Sequence, residues 1–103
     1  MALKKVSVLF SRRAAKDLEE IYHYLSLHAP QALQKIDQEL FKSFRRLEFF
    51  PESGSFVKEF TGKKYREVLV FHYRIIYRYP EKGKKVQIFT IRHGKRYLPS
   101  LLY

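Results

Sequence analysis

The sequence predicts a small α+β domain: an N-terminal strand, an antiparallel helix hairpin, then a three-stranded antiparallel meander. Three observations predict it. Val6, Val8 and Phe10 alternate with Lys5, Ser7 and Leu9; two amphipathic stretches with a very short connection fill residues 12 to 50; three β-rich runs crowd residues 65 to 92.

The first strand is expected over residues 4 to 10, with Val6, Val8 and Phe10 on its buried face. Ser11 then offers an N-cap, because its hydroxyl can accept from a free N–H of the first helical turn. From Arg12 to about Leu27, Ala15, Leu18, Ile21, Tyr22 and Leu25 recur at helical spacing, with Lys16, Glu19, Glu20 and His23 mainly on the other side. Pro30 suits the first turn of a second helix, where a missing N–H forfeits no intrahelical bond. Leu33, Ile36, Leu40, Phe44 and Leu47 form its stripe. Pro51 disfavours helical geometry at Phe50, so that helix stops there and Pro51-Glu52-Ser53-Gly54 makes a turn.

The meander is expected over Tyr65–Val70, Tyr73–Tyr79 and Val86–Arg92. Strand alternation sends Tyr73, Ile75, Tyr77 and Tyr79 to one face of the middle strand and Arg74, Ile76 and Arg78 to the other. If the helices cover the aromatic face, Arg74 and Arg78 project into the open concavity of a curved sheet. A two-residue turn at Phe71-His72 pairs Arg66 with Tyr77 and puts Arg66 opposite Arg74; a three-residue turn or a bulge brings the two arginines together. The sequence leaves both registers open.

Length and charge fit this frame. The 103 residues make one domain, 1–103, with a formal charge of +11. Residues 1–50 hold 9 basic and 6 acidic side chains, and residues 51–103 hold 12 and 4, so the excess sits with the tyrosine-rich strands. Cation and aromatic interleaved point to an anionic partner. The absence of cysteine excludes disulfides, thiolate metal sites and a cysteine nucleophile, and fits the cytoplasm. Neither a signal sequence nor a membrane span is expected from the pattern of apolar residues. The four histidines are scattered without paired carboxylates and give no metal signature.

The order of elements, Ser11-Arg12-Arg13-Ala14-Ala15-Lys16-Asp17-Leu18-Glu19-Glu20-Ile21, Leu47-Glu48-Phe49-Phe50-Pro51-Glu52-Ser53-Gly54, Arg66-Glu67-Val68, Tyr73 to Arg78, and Arg92-His93-Gly94-Lys95-Arg96 with Leu98-Pro99 together resemble the RelE/ParE superfamily of type II toxin-antitoxin toxins. The tail is similar to that of the ParE branch, with Tyr97 where an acidic residue is usual. The resemblance implies one two-layer fold carrying two activities: ParE-like inhibition of DNA gyrase, or RelE-like, metal-independent cleavage of messenger RNA on the ribosome. The ParE-like reading ranks first, and a non-toxic nucleic-acid-binding module ranks third.

For cleavage, the resemblance implies Arg74, Arg96 and Arg66 around the scissile phosphate, where a guanidinium fork neutralises developing charge, with His93 and Tyr97 as acid/base candidates. For binding a protein or nucleic-acid target it implies Arg74, Arg78, Arg92, Lys95 and Arg96. No cofactor is implied. The partner implied is a small acidic antitoxin, ParD- or RelB-like, with apolar anchors on Tyr24, Phe41 and Phe49 and acidic groups on Arg74 and Arg78.

Overall fold

The computed structural model describes residues 5–58, 64–80 and 83–94. Seven elements follow one another: β1 (Ser7–Phe10), α1 (Arg12–His28), α2 (Pro30–Phe49), β2 (Ser55–Phe56), β3 (Tyr65–Val70), β4 (Tyr73–Arg78) and β5 (Lys85–His93). The strands form one sheet in the order β1-β5-β4-β3-β2. Neighbours are antiparallel except for β1, which lies parallel to β5 and closes the sheet on the far side of the helix hairpin in sequence. The α+β architecture is therefore the expected one, with a two-residue strand β2 added at its edge.

Ser11 starts α1 as its spacing suggests. Its Oγ accepts from the Ala14 N–H at 3.0 Å and donates to the Phe89 carbonyl at 2.6 Å, so one side chain caps the helix and ties it to β5. The buried face of α1 differs from the expected one by a residue: Ala14 is fully buried while Ala15 is exposed, and Asp17 is buried among the apolar positions. Asp17 Oδ2 accepts from the Thr90 hydroxyl and, at 3.0 Å, from the Ile91 N–H. A buried carboxylate needs such donors, and these fix α1 against β5.

Pro30 opens α2 at its first turn, and the helix ends at Phe49 before Pro51. Leu40 and Leu47 reach the main core with Ala14, Ile75, Tyr77, Val86, Ile88 and Ile91. The chain then turns so tightly that a Cβ on Gly54 would come within 2.6 Å of the Tyr77 hydroxyl and 2.7 Å of the Glu67 carbonyl. The Gly54 N–H donates to that hydroxyl at 2.8 Å, which satisfies the one polar atom of a fully buried tyrosine.

The register left open by the sequence takes its two-residue form: Val70 pairs with Tyr73 and Arg66 with Tyr77. Between β4 and β5 the pairing shifts, with Ile76 opposite Thr90 and Tyr77 opposite Ile88, so that Phe89 is the extra residue of a bulge. Behind the sheet, Val57, Ile76, Tyr65 and Phe89 make a second, smaller core. Three boundaries of the meander move by one residue from expectation: β4 ends at Arg78 and not Tyr79, and β5 runs from Lys85 to His93.

Candidate functional site

Two surfaces carry the residues singled out by the sequence. On the face away from the helices, Arg74 does not project into an open concavity. It is 8% exposed, with Nε donating to Glu67 Oε1 at 3.1 Å and a terminal nitrogen to Oε2 at 2.7 Å. Burial of the aliphatic stem and a bidentate carboxylate explain this: once Arg66 faces the other way, Glu67 lies diagonally across from Arg74 on the same face. The register thus gives Glu67 to Arg74 and not to its chain neighbour Arg66.

Arg66 is turned to the opposite face and holds the turn after α2. Its guanidinium donates to the carbonyls of Glu52 at 3.1 Å and Gly54 at 2.9 Å, lies 3.9 Å from the Glu52 carboxylate and rests 4.1 Å above the Phe56 ring. Arg66 and Arg74 are thus not brought together around one phosphate. Arg78 is exposed and sits 5.7 Å from the Tyr65 ring. Arg92 pairs directly with Arg74 across β4 and β5, and its Nε is buried without a hydrogen-bond partner. His93 stacks on His72 at 5.8 Å and meets the edge of Tyr73 at 6.1 Å. Lys95, Arg96 and Tyr97 lie outside the described residues.

The second surface is a groove of about 950 Å³ between the connected end of the helix hairpin, around Ala29, and the ends of β4 and β5. Ile21, Leu25, Ile36, Tyr73 and Ile91 supply its apolar lining, and Glu20, Lys35, His72, Arg92 and His93 its polar rim. Burial pushes the Tyr73 hydroxyl pKa up, with nearby Tyr24 adding to it, so this wall is a neutral hydrogen-bonding one. Of the expected apolar anchors, Tyr24 lines the groove, 58% exposed and 4.5 Å from the His28 ring. Phe41 is exposed on α2 away from it, and Phe49 lines a separate cleft with Lys42, Arg45, Arg46, Phe50 and Ser53. The structure therefore does not gather Tyr24, Phe41 and Phe49 into one patch.

Phe71 and Lys35, which sequence reasoning passed over, lie in this groove. The signal for Phe71 was a bulky residue in a two-residue hairpin turn, where glycine or asparagine is the usual occupant. Among the described residues, no three His, Cys, Asp or Glu side chains lie close enough to hold a metal ion, and no helix is long and apolar enough to cross a membrane.

A strand, a helix hairpin and an antiparallel meander, with the first strand added in parallel at the edge of one sheet, make up the RelE/ParE-like fold. Residues 8–98 match the family described as "ParE toxin of type II toxin-antitoxin system, parDE", and the chain belongs to that family. Among solved structures it is similar to a chain of the chromosomal ParDE toxin-antitoxin system from P. aeruginosa, at 25% identity and a TM-score of 0.68, over 89% of this chain and 99% of that one. It is also similar in fold to a chain of the RelBE2 toxin-antitoxin complex from Mycobacterium tuberculosis, at 18% identity and a TM-score of 0.61, over 89% and 94%. No curated protein matches it.

Proposed function

We propose that this chain is a growth-inhibiting toxin that acts on DNA gyrase without catalysis of its own, and that a small acidic antitoxin seated in the groove holds it inactive. The match to the ParE family over residues 8–98 carries the reading. Local geometry supports it. Arg66 is occupied by the turn after α2, and the Arg74 fork is occupied by Glu67, so two of the three arginines that cleavage would use have other work. Net charge supports the partner: a +11 chain with an apolar groove suits a segment carrying both apolar and acidic side chains.

RelE-like cleavage of messenger RNA is the second reading, on the fold shared with the RelBE2 chain. The register weighs against it, because it pairs His93 with Tyr73 and Arg92 with Arg74 and so sends the imidazole and the Arg74 fork to opposite faces of the sheet.

Purified protein tested in gyrase supercoiling and in translation-coupled messenger cleavage separates the readings. Inhibition of supercoiling without cleavage is expected. Cleavage within codons with gyrase untouched would establish the second reading, and silence in both assays would favour a nucleic-acid-binding module.

A further inference from the structure

Three phenylalanines at the far end of α2 take no part in the groove, and they bracket two arginines. Phe41, Arg45 and Phe49 recur at intervals of four residues, as do Lys42, Arg46 and Phe50, so the two rows run side by side along one surface of the helix. Phe41 is 60% exposed, Phe50 is 51% exposed, and both arginines face solvent. Lys42, Arg45, Arg46, Phe49, Phe50 and Ser53 enclose an open cleft of about 470 Å³. Arg45 lies about three turns of helix, or roughly 15 Å, beyond Lys35 of the groove.

The charge of this cleft is not compensated. Every acidic residue of α2 and of the turn after it is already engaged: Asp37 accepts from Tyr22, Glu39 meets Lys42 at 3.6 Å, Glu48 meets Lys5 at 3.2 Å, and Glu52 lies 3.9 Å from Arg66. Among the described residues, that leaves Arg45 and Arg46 without a carboxylate. Arg46, in the last turn, also complements the negative end of the helix dipole, which accounts for a cation there but not for the exposed rings around it.

We propose that this end of α2 is the surface through which the toxin grips its target, and that it takes an acidic, partly apolar segment of the gyrase protein. The proposal rests on the gyrase reading above and adds the place of contact. Arg45 and Arg46 pair with carboxylates, while Phe41, Phe49 and Phe50 cover the apolar side chains beside them. Arginine set among aromatic rings is the composition of a protein–protein hot spot. A DNA duplex offers phosphates to the arginines but no apolar surface to the rings, so the protein is the better complement than its DNA. Placed beyond the groove, the cleft keeps the contacts to target and antitoxin on separate parts of α2.

The test compares the full chain as wild type, as Arg45→Glu with Arg46→Glu, and as Phe50→Ser, in gyrase supercoiling, in binding to gyrase free of DNA, and in thermal unfolding. Both variants are expected to raise the inhibitory concentration and the dissociation constant about tenfold or more, as loss of a central anchor does. Their thermal midpoints are expected to stay within about 4 °C of wild type, because the altered side chains are exposed. Arg12→Glu with Arg13→Glu, on the exposed start of α1, changes net charge equally and is expected to leave inhibition unchanged.

Full inhibition by the folded Arg45 and Arg46 variant overturns the surface, and so does an equal loss in the Arg12 and Arg13 variant, which would make the effect one of bulk charge. If the double reversal unfolds the chain, Phe50→Ser decides alone, and wild-type inhibition there overturns the proposal. Binding by the wild type only when DNA is present, weakened in the variants, transfers the cleft to nucleic acid and overturns the protein partner. A wild-type chain that leaves supercoiling untouched removes the gyrase reading itself, an outcome distinct from wild-type inhibition that the variants leave unchanged.

Discussion

At the scale of single residues, the pairing of Arg74 with Glu67 decides how any experiment on the basic face must be read. The two side chains are 10% and 18% exposed and meet at 2.7 Å, so the pair is largely desolvated. Removing one partner leaves the other's charge uncompensated, whereas removing both leaves only a packing defect. Arg74→Ala is therefore expected to cost about 3 kcal/mol of stability, and the double change Arg74→Ala with Glu67→Ala appreciably less. Urea denaturation of the wild type and these two variants measures this. If the double variant is as unstable as the single one, the ion pair is not what holds Arg74. The consequence for function is practical: loss of growth inhibition in Arg74→Ala alone reports folding as much as mechanism, and the double variant is the fair probe.

At the scale of elements, the helix hairpin shows how far the sequence reaches. Ser11, Pro30 and Pro51 mark three helix boundaries by local chemistry, and the structure places the boundaries there. Asp17 was left out of the expected apolar stripe because it carries a carboxylate. Yet it stands three residues after Ala14 and four before Ile21, on the buried side, so the spacing alone held the signal. The bulge in β5 left a trace too: Val86 and Ile88 share one parity and Ile91 has the other, although all three reach the same core. The pairing of Arg74 with Glu67 was not legible, because it depends on a register that turn length leaves open. Two-residue β2 is too short to show any alternation.

The two helices also carry a pH signature. The Tyr22 hydroxyl donates to Asp37 Oδ1 at 2.8 Å across the hairpin, and burial, that hydrogen bond and the carboxylate's charge push its pKa up from 10.0 to about 12. A folded-state pKa above the unfolded one means the contribution is complete below pH 10 and is lost as pH rises toward about 12. Tyrosinate absorbance should therefore show a late-ionising group that Tyr22→Phe removes. Ionisation of the wild type complete by pH 11, with no difference in the variant, would sink the assignment.

At the scale of the whole molecule, the connection between halves distant in sequence determines how the chain unfolds. β1 pairs in parallel with β5, Ser11 reaches Phe89 across 78 positions, and Asp17 reaches Ile91 across 74. Helices placed between β1 and β2 in sequence thus gain most of their burial from strands that come last, since Leu40 and Leu47 of α2 pack in the core with Tyr77, Val86 and Ile88. A hairpin held in this way has little to keep it folded once the sheet opens, because an isolated helix of this length is marginal in water. One cooperative transition is therefore expected, with far-UV circular dichroism and tyrosine fluorescence coincident. Asp17→Ala probes the same coupling. It leaves the buried Ile91 N–H without an acceptor and is expected to cost about 1–3 kcal/mol, lowering the urea midpoint of both signals together without changing the slope. Helical dichroism that survives after the tyrosine signal has changed would mean that the hairpin is a separate unit, held together without the sheet.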